Sequence, residues 1–223
     1  MARLLETPDD NGELQGRLQN DLLSQFFQGF PISFLGELLR NPHDAIVSGA
    51  LFIADELEEK AISVLDDVIA HTAHANPHIR TLAFAAICSV SEDGRGFVHV
   101  CRGILDPDPG CRKVAMWWMS RVSDAWLKAA FEAIGDAGVD KDIQKGLALL
   151  LGESSRDSAA VQAWILDQSP LTRKCGVIAA GRLGESYLHL LSLAAKSEDV
   201  DVATCATVQE RFLALRLKWH EDR

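Results

Sequence analysis

The chain is short of positive charge. Lys and Arg total 22 against 32 Asp and Glu, a formal net charge of −10. A protein that tracks nucleic-acid phosphates needs a cationic footprint, so this balance argues against general nucleic-acid binding. Long apolar runs are also missing. Gly146-Leu147-Ala148-Leu149-Leu150-Leu151 is typical of the longest, far below the roughly 20 residues that cross a bilayer, so no membrane association is expected. Met1 to Pro8 contain no apolar core, and no secretory signal is expected there. The five cysteines (Cys88, Cys101, Cys111, Cys175, Cys205) are odd in number and form no Cys-x-x-Cys pair. A disulfide framework or zinc module is therefore not expected, and a reducing cytoplasm is the expected compartment.

Catalytic signatures are equally sparse. No Gly-x-Ser-x-Gly elbow occurs, and the cysteines fall on apolar helix positions without a histidine base. Gly94-Arg95-Gly96 is too short for a phosphate loop, and Gly181-Arg182-Leu183-Gly184 lacks the preceding strand of a dinucleotide site. Asp66 and Asp67, as neighbours on a helix, point to different sides and make poor acid–base partners. Asp124, Lys128 and Glu132 have the i, i+4, i+8 spacing of surface ion pairs. The expectation is a non-catalytic protein with no cofactor.

What is present is helical periodicity and repetition. Hydrophobic residues make up 48% of the chain, enough for a sizeable core. They recur at three and four rather than alternating. Five stretches open on a polar or proline-containing corner and run into a helix rich in small residues: Asn41-Pro42-His43-Asp44, Asn76-Pro77-His78-Ile79-Arg80, Asp106-Pro107-Asp108-Pro109-Gly110-Cys111-Arg112, Asp140-Lys141-Asp142-Ile143-Gln144 and Ser169-Pro170-Leu171-Thr172-Arg173. A sixth, weaker copy starts at Ser197-Glu198-Asp199-Val200-Asp201. Aligning Ala45, Arg80, Arg112, Gln144, Arg173 and Asp201 gives steps of 35, 32, 32, 29 and 28 residues, two short helices and two turns each. Proline suits the first helical turn, and the neighbouring Asn, Asp or Ser caps it. Apolar stripes follow, as in Ile79, Leu82, Ala83, Ala86, Ile87 and Val90, or Cys111, Val114, Ala115, Trp118, Met119 and Val122. One pair cannot close a core alone, so stacking of pairs must bury these faces.

Asp-Pro-Asp-Pro-Gly-Cys-Arg at 106 to 112 followed by Ala115 resembles the HEAT-like repeat signature in its short bacterial form. Asn76 to Arg80 with Ala83, and Leu171 to Arg173 with Gly181 to Gly184, are similar. The resemblance covers roughly residues 41 to 218, and copies one, four and six lack its arginine. It implies an all-α fold, an α-α superhelix (solenoid) of about five to six helix pairs whose second helices line a concave surface. Residues 1–40 are expected to form N-terminal capping helices, Glu13 to about Gln28 and Ile32 to Arg40, broken at Gly29-Phe30-Pro31, with 41–223 the repeat array continuous with them. Arg80, Arg112 and Arg173 are expected to pair with corner carboxylates or carbonyls.

Charge is uneven. Residues 1–112 hold 17 acidic and 8 basic side chains, and residues 113–223 hold 15 and 14. Read as one helix through Leu65, the segment places Glu56, Glu59, Ser63, Asp67 and His74 opposite the apolar stripe, the expected partner-binding face. A solvated face that merely keeps the array soluble has the same pattern. Asp67, His71 and His74, at i, i+4 and i+7, have spacing that permits a zinc ion without specifying one, and no metal is expected. Trp117 falls off the stripe of its helix and is read either as an interface anchor or as buried against a neighbouring repeat. Trp118, Trp126 and Trp164 are expected in the core, and Trp219 over the last repeat.

The functional expectation is a protein-binding module with a basic protein partner. Small acidic helical-repeat proteins resemble some immunity proteins that neutralise a bacterial toxin or effector, which gives that expectation a concrete form. The same resemblance admits enzymes, namely alkylated-base DNA glycosylases, where Trp126, Asp124 and Arg121 would serve, and bilin lyase subunits. It also admits an assembly scaffold.

Overall fold

A computed structural model describes residues 12–134 and 139–221. Among them no strand occurs, and most are helical, as the periodicity requires. It divides into two compact units, Met1–His99 and Val100–Arg223.

In the first unit the helices are α1 (Gly12–Phe27), α2 (Ser33–Leu39), α3 (Asp44–Leu57), α4 (Leu65–Ala70) and α5 (Pro77–Val90), with 3-10 turns at Glu58–Val64 and His71–Ala73. Helix α6 (Phe97–Arg102) spans the division in sequence. In the second unit follow α7 (Pro109–Met119), α8 (Asp124–Glu132), α9 (Val139–Leu151), α10 (Ser158–Ile165), α11 (Pro170–Leu183), α12 (Leu188–Ala194) and α13 (Val200–Glu221). First helices of successive repeats lie against one another, α3 on α5, α9 on α11 and α11 on α13. That is the stacking of a helical-repeat solenoid.

The corners work as the sequence indicates. Asn76, Asp108 and Ser169 are N-caps, each followed by proline at the first helical position. Asn76 Oδ1 accepts from the amide of His78 at 3.0 Å, and Asp108 Oδ1 from those of Gly110 and Cys111 at 2.8 and 3.1 Å. A cap of this kind is worth about 1 kcal/mol. The first copy differs: His43 is the N-cap and Pro42 precedes it, so proline ends the turn there rather than opening the helix.

Three arginines then repeat one contact. From the fourth helical position, Arg80 Nη1 donates to the carbonyls of His74 and Ala75 at 2.8 and 3.1 Å. Arg112 Nη1 does so to Asp106 and Pro107 at 2.8 and 2.9 Å, and Arg173 Nη1 to Asp167 and Gln168 at 3.0 and 2.9 Å. Each guanidinium thus satisfies carbonyls left over by the preceding turn. The expected structural role is what these side chains perform.

The cores are aliphatic. Ile79, Ala83, Ala86, Ile87 and Val90 are buried, with Phe84 added to the expected stripe, and Cys111, Ala115 and Met119 are joined by Met116. The tryptophans depart from expectation: Trp118, Trp126 and Trp164 are half-buried. Stacked short helices leave little depth between them, and methionine and branched aliphatics fill it better than an indole. The side chain of Trp219 lies outside the described residues.

One packing relation is not that of a strictly sequential stack. Helix α7 lies against α11 and α13, and the first turn of α13 with the corner before it supplies the carboxylates that bind two repeat arginines. Arg173 Nη2 donates to Asp199 at 2.8 Å, and Arg112 donates through Nε and Nη2 to Asp201 at 2.6 and 3.0 Å. Lys174 Nζ, almost fully buried, lies 3.0 Å from Asp201 and donates to the carbonyl of Ile104 at 3.1 Å.

Candidate functional site

The acidic segment of the first unit is not one helix. Helix α3 ends at Leu57, and Glu58 adopts φ +51°, a value rare for a residue with a side chain. The chain continues as a 3-10 turn that buries Ala61 and Val64 and packs on α2, α3 and α5. Glu56 therefore lies in the last turn of α3, Glu59 and Ser63 on the 3-10 turn, Asp67 on α4, and His74 after the second 3-10 turn. The expected single helical face is corrected to a surface assembled from several short pieces. The cause is tertiary: Ala61, Val64 and Leu65 reach the core only if the helix is broken and re-aimed.

Exposure separates these residues into two groups. Glu56, Glu58, Glu59, Ser63 and Asp66 face solvent. Those four carboxylates make no ion pair among the described residues. Lys60, the one cation between residues 55 and 67, is drawn aside over the Phe27 ring at 4.8 Å from its centroid. Asp67, by contrast, pairs with Arg40 Nη1 at 2.6 Å, with its carboxylate close above Gly36. It secures α2 to α4 rather than standing open to a partner.

The histidines are similarly committed. His71 Nε2 lies 2.8 Å from the Leu39 carbonyl and donates to it. His74 Nδ1 accepts from the Asn76 amide at 3.1 Å, and its Nε2 faces Asp44 at 3.8 Å. Asn76 Nδ2 donates to the other oxygen of Asp44 at 2.8 Å. These bonds draw Asp67, His71 and His74 to different partners, and no group of three metal-binding side chains is assembled among the described residues.

In the second unit, Trp117 is half-buried and meets the Phe212 ring edge-to-face, centroids 5.4 Å apart. The Arg121 guanidinium lies 3.6 Å from the centroid of Trp117 and 3.7 Å from that of Phe212. Of the two readings of Trp117, the contacts favour packing against side chains of its own unit. Asp124 does not join Lys128 and Glu132 in a row. It pairs with Arg156 at 2.9 Å and with Arg182, which also donates to the carbonyls of Met119 and Val122. Burial works against its charge, but the hydrogen bond and charge of Arg182 and then Arg156 outweigh it and hold its carboxyl below the ordinary value. Lys128 and Glu132 stand 4.0 Å apart.

Two concave features went unread in the sequence. An apolar groove of about 700 Å³ runs between α9 and α11, lined by Leu105, Ala148, Leu149, Pro170 and Leu171 with Lys145 at its rim. A smaller cavity of about 210 Å³ is lined by residues of α7, α11 and α13 and their ends. Both are made of residues far apart in sequence, so no local pattern announces them. No described helix is long and apolar enough to cross a membrane.

No protein-family model matches the chain, and no curated protein sequence matches it. Among solved structures it is similar to a designed armadillo repeat protein, with 15% identity, 94% of this chain and 96% of that chain covered, and a TM-score of 0.46. A second designed armadillo repeat protein, solved in complex with the peptide (KR)4, gives 14% identity, 93% and 97% coverage and a TM-score of 0.48.

Proposed function

We propose that the chain is a non-catalytic protein-binding module of HEAT-like helical repeats that engages a basic protein surface through the acidic segment of its first unit. The supporting observation is the state of Glu56, Glu58, Glu59 and Asp66: exposed, close in sequence, and without an ion pair among the described residues. A field of one sign raises the rate of encounter with an oppositely charged partner. Helical repeats offer broad surfaces for such contact, with no need for a convergent reactive site. A concrete form of this reading is a cytoplasmic bacterial immunity protein that covers a basic toxin.

The test is affinity capture of the partner from the native host, followed by association kinetics against Glu56→Lys/Glu59→Lys. Slower association with unchanged dissociation, the difference shrinking as salt rises, is expected. Equal association rates for both proteins at low salt would overturn the acidic-surface reading. Asp67 is left out of the variant because its reversal would set two cations together beside Arg40.

A further inference from the structure

Helices α7 and α13 run side by side in the same direction. Arg112 meets Asp201 near their starts, and the rings of Trp117 and Phe212 meet farther along. The face of α13 beside this seam is unlike that of an ordinary surface helix. Val208, Phe212 and Leu215 are 36%, 37% and 68% exposed, and their i, i+4, i+7 spacing puts them in one row. A different side of α13 is already apolar, with Val202, Cys205, Ala206 and Leu213 buried in the unit. Packing against the unit needs only one such side. A second apolar row left in water marks an interaction surface.

The free charges around this row have one sign. Arg211 lies between Val208 and Leu215 on the same side of α13, and Lys113 lies one turn before Trp117 on α7. Both are exposed, and neither side chain makes an ion pair or hydrogen bond among the described residues. Arg121 is committed to the rings of Trp117 and Phe212 and is not counted with them. Carboxylates do not offset the pair. Helix α7 contains no acidic residue. On α13 before Arg216, Asp201 is held by Arg112 and Lys174, and Glu210 accepts from Ser192 of α12. A chain of net charge −10 thus carries an apolar row flanked by unpaired cations.

We propose that this face of the second unit docks an acidic amphipathic helix of a partner protein. The apolar side chains of that helix cover Val208, Phe212 and Leu215, and its carboxylates meet Lys113 and Arg211. Val208 to Leu215 spans two turns, about 11 Å, so a helix of about four turns covers the row and both cations. An anionic bilayer is the competing surface, but holding one takes a cluster of about four or more basic residues. Two unpaired cations on an acidic protein favour the helix. This face lies on the other unit from the acidic segment and takes the opposite charge, so neither proposal depends on the other.

The test is two-dimensional amide NMR of the full chain, titrated with an acidic peptide of about 15 residues, four turns of helix. The peptide consists of glutamate with leucine at alternate third and fourth positions. Saturable shifts are expected at the amides of Lys113, Val208, Arg211, Phe212 and Leu215. The same peptide with lysine for glutamate should leave those amides unmoved; shifts it causes from Glu56 to Asp66 report the acidic segment instead. Lys113→Glu/Arg211→Glu should weaken the acidic peptide about tenfold or more, because two attractions become repulsions. Leu215→Ser should weaken it as well. These positions are exposed, so both variants should keep the melting temperature. No saturable shift on α7 and α13, equal shifts there from the lysine or a scrambled peptide, or full binding by the charge-reversed variant would each overturn the proposal. So would tighter binding to phosphatidylserine vesicles, or self-association of the free chain that Leu215→Ser abolishes, since a bilayer or a second copy would then be the occupant.

Discussion

Arg112 and Asp201 stand 89 positions apart and meet fork to fork, Nε on Oδ2 at 2.6 Å and Nη2 on Oδ1 at 3.0 Å. Lys174 reaches the same carboxylate from α11. Burial disfavours the charge on Asp201, but the hydrogen bonds from Arg112 and Lys174 more than offset it and hold the carboxyl below its ordinary value.

Asp201→Asn leaves the buried Lys174 and most of Arg112 without their counter-charge. The expected loss is about 2–3 kcal/mol at pH 7, below the roughly 3–5 kcal/mol of a fully buried pair, because Arg112 keeps 21% side-chain exposure. The folded carboxyl titrates below its unfolded value of about 3.9, so its contribution is complete above that pH and fades as pH falls through the folded value. Urea unfolding at pH 7 and at about pH 3 should therefore show the gap between wild type and variant closing in acid. A gap that does not narrow at all in acid would mean the variant acts by packing alone.

Two glycines in helices should respond oppositely to alanine. At Gly176 a Cβ would lie 2.7 Å from the backbone nitrogen of Ile165 and 3.0 Å from the carbonyl carbon of Trp164. Backbone cannot step aside, so Gly176→Ala should separate α10 from α11 at a cost of about 1–3 kcal/mol. Gly16 has nothing within 4 Å of the same position, and Gly16→Ala should add about 0.5–1 kcal/mol through helix propensity. Melting temperatures of the two variants should fall on opposite sides of the wild type.

Glu58 carries φ +51° and ψ −137°, a conformation natural to glycine and strained for a residue with a Cβ. Glu58→Gly should raise stability by about 1 kcal/mol, measured by urea unfolding, and Glu58→Val should lower it. A destabilising Glu58→Gly would show that the helix break is not where the strain resides.

Thiol reactivity should single out one cysteine. Cys101, Cys111, Cys175 and Cys205 are at most 1% exposed, and Cys88 is half-buried. Burial pushes Cys175 and Cys205 up to about 12 and Cys101 higher still, so none of the three forms thiolate near neutrality. Mass spectrometry after brief iodoacetamide treatment should find Cys88 alkylated first and the rest only on unfolding. Early labelling of Cys175 would mean that α11 opens far below global unfolding.

The repeat frame was legible because its signals are local: a cap, a proline and an arginine within five residues, as in Asn76 to Arg80. The acidic segment was legible as composition but not as geometry. Leu57-Glu58-Glu59-Lys60 contains no glycine or proline to mark the break at Glu58, which is imposed by burial of Ala61 and Val64 in the assembled unit. Asp67 and Arg40 lie 27 residues apart, and Trp117 and Phe212 farther still. Such pairings follow from which helices become neighbours, and helical periodicity is silent on that.

The contact of α13 with α7 changes how the second unit can come apart. An array held only by nearest neighbours frays from its end, losing one repeat at a time. Here the last helix is latched to the first one after the Asp106 corner, so removing it uncovers α7 and α11 together. Unfolding of this unit should be all-or-none, and its folding must close a long loop before the latch is rewarded. Adding or removing a whole repeat between α7 and α13 would break this latch.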